Sequence, residues 1–202
     1  MTTGSLFPRD QSELANTAAD FHPPGKRLYR MIPLSHYKTP LGRGSPASRF
    51  FDSSCALIGP IYFAESVRTC AFEKLVSGKY VGADIRIIAM STLIEQAVVA
   101  VERVQPFKVL KLTRTKAAKF GLHRDILGAE DHSAAQAWAT AFRTAHTEVE
   151  AFQFRSTMSD GWCFAYFPVA TDPFSVFEIK PLLETPRAIP MLENELRLNI
   201  LP

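Results

Sequence analysis

Two groups of residues in this chain have the types and the spacing for chemistry. From Phe21 to Phe51 there is no Asp or Glu, while Lys26, Arg27, Arg30, Lys38, Arg43 and Arg49 fall inside the block, with Gly42-Arg43-Gly44-Ser45-Pro46-Ala47-Ser48 between them. A basic loop bearing glycines suits an anion such as a diphosphate, because backbone N–H groups can approach it closely and guanidinium groups grip it bidentately. The same composition also serves as a solubilising surface loop. The second group lies in the stretch Gly59 to Leu75, where Thr69 and Glu73, with Ser77 just beyond, recur at a spacing that puts them on one stripe of a helix. Glu73 is then a carboxylate held mid-helix between small hydroxyl side chains. That placement suits electrostatic or acid–base work, and it equally suits a solvated helix face.

The elements that must hold these residues are short. Ile61, Tyr62 and Phe63 are strand formers behind the Gly59-Pro60 breaker, and Ser66 is a good N-cap for a helix that Gly78 can close. On that helix Val67, Ala71 and Leu75 share one apolar face, and Phe72 and Val76 a second. Leu28 to Ile32 reads as a strand, which would give Arg30 a rigid mounting. Ile85 to Met90 and Ala97 to Val104 read as strands with a helical stretch around Met90 to Gln96, and Phe107 to Leu112 as a strand after a proline break. Thr113 to Phe120 is a short basic helix or turn. Asp131 or Ser133 can cap a longer helix through His146, with Trp138 and Phe142 on its buried side. Val149 to Arg155 alternates, Met158 to Gly161 signals a turn and Trp162 to Phe167 a return strand, so Ser156 falls where the first strand of a hairpin meets its turn. Taken alone, Ser156 is an ordinary turn serine.

A further strand, Ser175 to Lys180, precedes a proline-spaced stretch in which Leu183, Leu192 and Leu196 are placed to dock on the core. The expected organisation is an N-terminal tail over residues 1–25, one domain over 26–180 and a docking tail over 181–202. Strands in short runs with helices between, but no regular βαβ alternation, make the fold class α+β. No Gly-x-Gly-x-x-Gly opens a helix, so a dinucleotide-binding Rossmann unit is excluded.

A chain of 202 residues, 47% hydrophobic and 21% charged, can bury one good core. Its net charge of +3 does not by itself argue for nucleic acid, because the informative feature is the local acid-free block. Three cysteines without paired spacing argue against a disulfide framework, and the scattered histidines lack ligand spacing, so no metal is expected. The longest apolar run, Ile85 to Val104, is broken by Arg86, Glu95 and Glu102, which excludes a spanning helix there. No signal-peptide pattern is present, and the cytoplasm is the expected site of action.

Leu28-Tyr29-Arg30, Gly42-Arg43-Gly44 through Ser48-Arg49-Phe50, Ile61-Tyr62-Phe63-Ala64 with Ala71-Phe72-Glu73, and Phe154-Arg155-Ser156 before Gly161-Trp162-Cys163-Phe164 follow one another in the order of the RES domain. The chain resembles that family from about Arg27 to Lys180. The resemblance implies a single α+β domain similar to the ADP-ribosyltransferase fold of diphtheria-type toxins, a split β core with flanking helices that clamps NAD in a cleft. It also implies the toxin of an Xre–RES toxin–antitoxin module, one that depletes NAD by cleaving the nicotinamide–ribose bond with water or phosphate as acceptor. Carried over by motif, Arg30, Glu73 and Ser156 are the catalytic set, and Arg30, Arg49 and Tyr62 bind the nucleotide.

In such a reaction the departing nicotinamide loses its ring charge and the ribose gains oxocarbenium character, as in glycoside hydrolysis. Glu73 would stabilise that charge or orient the attacking group. Arg30 and Arg49 would anchor the diphosphate. Tyr62 would stack on nicotinamide, although in a strand it reads equally as core. Ser156 would hydrogen-bond the ribose or the amide, and with no His or Asp beside it in sequence it is not a triad nucleophile. NAD is substrate here, and no cofactor is implied. The implied partner is an Xre-family antitoxin, with nucleic acid engaged only indirectly through it, no membrane, and room for a homodimer within the complex. Two alternatives remain: a mono-ADP-ribosyltransferase modifying a protein, and a basic nucleic-acid-binding module without catalysis, disfavoured by the sparse aromatics in the basic block.

Overall fold

The structure is a computed structural model that describes residues 20–43, 48–52, 58–77, 79–80, 83–120, 122, 129, 131–168 and 174–202. The expected helix stop at Gly78 and the glycine loop from Gly44 to Ala47 lie outside these residues. Its strands are β1 (Asp20–His22), β2 (Leu28–Pro33), β3 (Ile61–Ala64), β4 (Arg86–Ala89), β5 (Gln96–Arg103), β6 (Phe107–Leu112), β7 (Ala151–Arg155), β8 (Trp162–Tyr166), β9 (Phe174–Pro181) and β10 (Leu198–Leu201). The helices that bear on the site are α1 (Val67–Ala71) and α4 (Ser133–Ala145), with α2 (Met90–Ile94) and α3 (Arg114–Lys119) between them.

Eight strands form one sheet in the order β1-β6-β7-β8-β3-β2-β5-β9, and β10 and β4 form a separate two-stranded parallel pair. Within the large sheet β6 and β7 run parallel and the other neighbours antiparallel. The mixture of mostly antiparallel strands with segregated helices is the expected α+β class. Alternation along β8 assigns its two faces. Cys163 and Ala165 join a core of Phe50, Trp138, Phe142, Phe152 and Phe154, whereas Phe164 and Tyr166 join Phe63, Phe107 and Phe174. The hairpin strand β7 is likewise buried on both sides over Ala151–Phe154, with Gln153 a buried polar residue on one of them.

The sheet is weakly joined at its middle. β2 and β3 share a single registered pair, Tyr29↔Ala64, whereas β2 registers with β5 over six pairs from Leu28↔Val101 to Pro33↔Gln96. β3 in turn pairs outward with β8 from Ile61↔Tyr166 to Ala64↔Cys163. The core is thus split into a β2–β5–β9 half and a β3–β8–β7–β6–β1 half, as the resemblance implies.

Strands also lie on the far side of both expected boundaries, at residues 25 and 180. β1 lies before the first, antiparallel to β6, and is held by the His22 ring, which stacks on Phe107 at 4.7 Å and meets the edge-on Phe164 at 5.2 Å. Burial pushes the His22 pKa down to about 4, so the ring is neutral in the folded protein. Beyond the second, β10 pairs with β4, and Leu192 and Leu196 are fully buried while Leu183 packs partly buried against the same cluster.

Candidate active site

Ser66 caps α1 as its residue type suggests, accepting the Thr69 N–H at 3.1 Å. The helix then widens. Ser77 N–H reaches back five residues to the Phe72 carbonyl at 2.9 Å, so Phe72–Val76 winds as a π-type turn, a local irregularity common at functional sites. The stripe read as a solvated face is not one. Thr69, at 2% exposure, faces the β7–β8 turn, and Glu73 is half-buried one turn on.

Glu73 is held from the β7–β8 turn. The Ser156 hydroxyl donates to Glu73 Oε1 at 2.5 Å, and Ser156 Oγ accepts the backbone N–H groups of Met158 at 3.1 Å and Ser159 at 3.0 Å. One proton and two lone pairs exhaust a hydroxyl. Ser156, at 8% exposure, is thereby engaged in fixing the carboxylate and the turn, so its capacity to hydrogen-bond a ribose or amide is already used. Close approach of the two elements depends on Gly161. A Cβ there would overlap the Thr69 hydroxyl and sit 2.9 Å from Thr69 Cβ and Cγ2.

Two buried thiols line the same region. Cys70 on α1 is hydrogen-bonded to the backbone of Met31, and burial pushes its pKa up to about 12. Cys163 on β8 is likewise pushed up, first by burial and then by the Glu73 charge. Both stay protonated and are therefore poor nucleophiles.

Arg30 rises from β2 at the split. It is half-buried, its Nη1 donates to the Pro40 carbonyl at 3.2 Å, and burial lowers its pKa without making it anything but cationic. Its charge and that of Glu73 both act on Cys70, which lies between β2 and the wide turn. Arg49 is placed by its neighbours. Phe50, at 1% exposure, meets Phe152 and Phe154 edge-on at 5.4 and 5.3 Å, its N–H donates to Tyr62 Oη at 3.3 Å, and Gln136 Nε2 on α4 donates to the Ser48 carbonyl at 2.9 Å. The Arg49 guanidinium then lies 5.8 Å from the Phe154 ring centroid, and its Nε is buried with no hydrogen-bond partner among the described residues. Neither arginine, nor Glu73, takes part in an ion pair among the described residues.

Tyr62 packs against the aromatic core and supports the Arg49 segment, and burial raises the pKa of its phenol. The packing is that of its strand-core reading. The anchors Phe50 and Gln136 were not among the expected site residues. Phe50 falls within the Ser48-Arg49-Phe50 motif, but nothing local marks it as the anchor, and Gln136 carries no sequence signal. Because Phe50 is so enclosed, Phe50→Ala should cost about 3–5 kcal/mol of stability. Urea unfolding checks this, and a loss below about 1 kcal/mol would mean that the segment is not anchored there.

No curated protein matches in sequence. Two chains of solved structures match, and one belongs to the M. tuberculosis MbcT–MbcA toxin–antitoxin complex, 19% identical, with a TM-score of 0.58 over 78% of this chain and 84% of that one. This likeness carries the fold. The RES domain family profile matches residues 22–188, which takes in β2 to β9, among them strands from both halves of the split sheet, and Glu73, Ser156 and both arginines. By that match, over most of its length, the chain belongs to the RES domain family.

Proposed function

We propose that this protein is the toxin of a toxin–antitoxin module and that it destroys NAD by breaking the nicotinamide–ribose bond. The observation that carries the reading is a Glu73 carboxylate fixed by Ser156 beside a split sheet, with Arg30 on one side of the split, Arg49 on the other, and neither arginine ion-paired among the described residues. Family membership and the likeness to a toxin–antitoxin complex support it. When the C–N bond breaks, the pyridinium nitrogen keeps the electron pair and becomes neutral nicotinamide, leaving positive charge on the ribose. A carboxylate near that carbon stabilises the charge. Water adds to give ADP-ribose and a proton, or phosphate adds to give the ribosyl phosphate. The two arginines hold the diphosphate so that the bond lies over Glu73. An Xre-type antitoxin, acting in the same cytoplasm, would keep the cleft closed.

The direct test is to incubate the protein with NAD, with and without phosphate, and identify the adenine-containing product. No nicotinamide release overturns the reading, and label retained on a protein would make the enzyme a transferase instead. Arg30→Ala and Arg49→Ala should each weaken NAD binding by about 1.5–3 kcal/mol, roughly 10- to 150-fold, measured in a Glu73→Gln background to prevent turnover. Arg→Lys should restore only part of this, because an ammonium lacks the planar fork. Unchanged affinity in both alanine variants would return the arginines to the surface.

A further inference from the structure

His132 stands at the N-terminus of α4, where its carbonyl accepts the Gln136 N–H at 2.9 Å. One turn on, the Gln136 side chain is the one that donates to the Ser48 carbonyl, so the first turn of α4 is fastened to the residue preceding Arg49. Residues four apart on a helix lie above one another. His132 is thereby carried, half-buried, to the Arg49 side of the site. Among the described residues, the charges that act on it are Arg49 from the Ser48–Asp52 segment and Asp131 from the turn before α4. Asp131 is already committed, its two oxygens accepting from Ser133 N–H at 2.9 Å and Ser133 Oγ at 3.0 Å. Burial first, and then the Arg49 charge, hold the imidazole below its ordinary pKa, so it is neutral near pH 7 while Arg49 is free.

We propose that His132 is a conditional second cation of the diphosphate site, taking up a proton when an anionic group settles on Arg49. The inference rests on the reading of Arg49 as a diphosphate anchor. An anion there offsets the Arg49 field and adds its own negative potential, and both changes favour imidazolium. The imidazolium then donates to the same ligand. By linkage, a site that gains a proton on binding binds more tightly as pH falls, by up to about tenfold per pH unit for one proton. This gives His132 a role in setting affinity for the charged diphosphate over uncharged parts of the substrate.

The experiment is titration calorimetry of the Glu73→Gln protein with NAD between pH 6 and 8, each point in two buffers of different ionisation enthalpy. We expect uptake of part of a proton, rising toward one, with affinity about three- to tenfold tighter per unit fall in pH. In His132→Gln the uptake should vanish and the pH slope flatten, with binding retained. Nicotinamide riboside, which lacks the diphosphate, should bind without uptake. Equal uptake with and without His132, or uptake with nicotinamide riboside, overturns the proposal. So does absent uptake in the parent while Arg49→Ala still weakens binding, an outcome that leaves the Arg49 reading standing. Unchanged NAD affinity in Arg49→Ala removes that reading, and the proposal with it.

Discussion

Glu73→Gln is expected to lower nicotinamide release by about 10²–10⁴-fold while the protein stays folded. The change is nearly isosteric, and the Gln carbonyl can still accept the Ser156 hydroxyl that now reaches Oε1 at 2.5 Å. What is lost is the negative charge, and only the transition state needs it, because the ribose becomes cationic only as the bond breaks. The effect should therefore fall on kcat rather than on KM. Single-turnover rates with NAD, set beside thermal unfolding of the same sample, separate the two. A rate within a few-fold of the parent would take Glu73 out of the chemistry.

Gly161→Ala is expected to be the most damaging alanine substitution among the described glycines. The added Cβ overlaps the Thr69 hydroxyl, and Thr69 cannot swing aside cheaply. It is buried, its N–H is the one that caps α1 on Ser66, and its Oγ1 accepts the Ser66 hydroxyl at 3.0 Å. Either the cap breaks or α1 lifts off the β7–β8 turn, which draws Glu73 away from Ser156. Overpacking of this kind costs about 1–3 kcal/mol and occasionally more, or roughly 2–4 °C of Tm per kcal/mol in a chain of this size. Activity should fall with stability. Thr69→Ala added to Gly161→Ala should recover more than the two single losses predict, since it removes the obstructing atoms. Additive losses would mean that the two residues do not meet.

Local patterns in the sequence were enough for most of the regular elements. The strand–helix unit from Ile61 was legible because a Gly-Pro breaker, aromatic strand formers and a serine cap follow in order. The hairpin was legible because alternation resumes on both sides of a polar turn. The edge strand Asp20–His22 was not, since three residues in a polar stretch carry no period, and its pairing with Phe107–Val109 joins distant segments. The same holds for the parallel pair of β4 and β10, which placed a supposed tail within the fold. In the site, the spacing of Thr69 and Glu73 was visible, but which way the stripe faced was decided by a glycine some ninety residues later. Ser156 was found by resemblance. That its hydroxyl is fully occupied by Glu73 and the turn became clear only when both neighbours were placed. Arg49 was likewise named from the basic block, while the Phe50 anchor that aims it depends on a cleft between β7 and α4 that no local pattern encodes.

The single pair between Tyr29 and Ala64 has a mechanical meaning. Hydrogen bonds across strands are what make a sheet stiff, so each half is stiff in itself and the line between them is compliant. Arg30 is mounted on one half, and Arg49, through Phe50 and Tyr62, on the other. The backbone carrying each arginine is thus held within one half, and the two are separated by the least-bonded line of the sheet. The sheet is built as a pair of stiff jaws on a yielding joint, and α1 with its wide turn spans that joint, tied to Met31 on one half through Cys70 and to Ser156 on the other through Glu73.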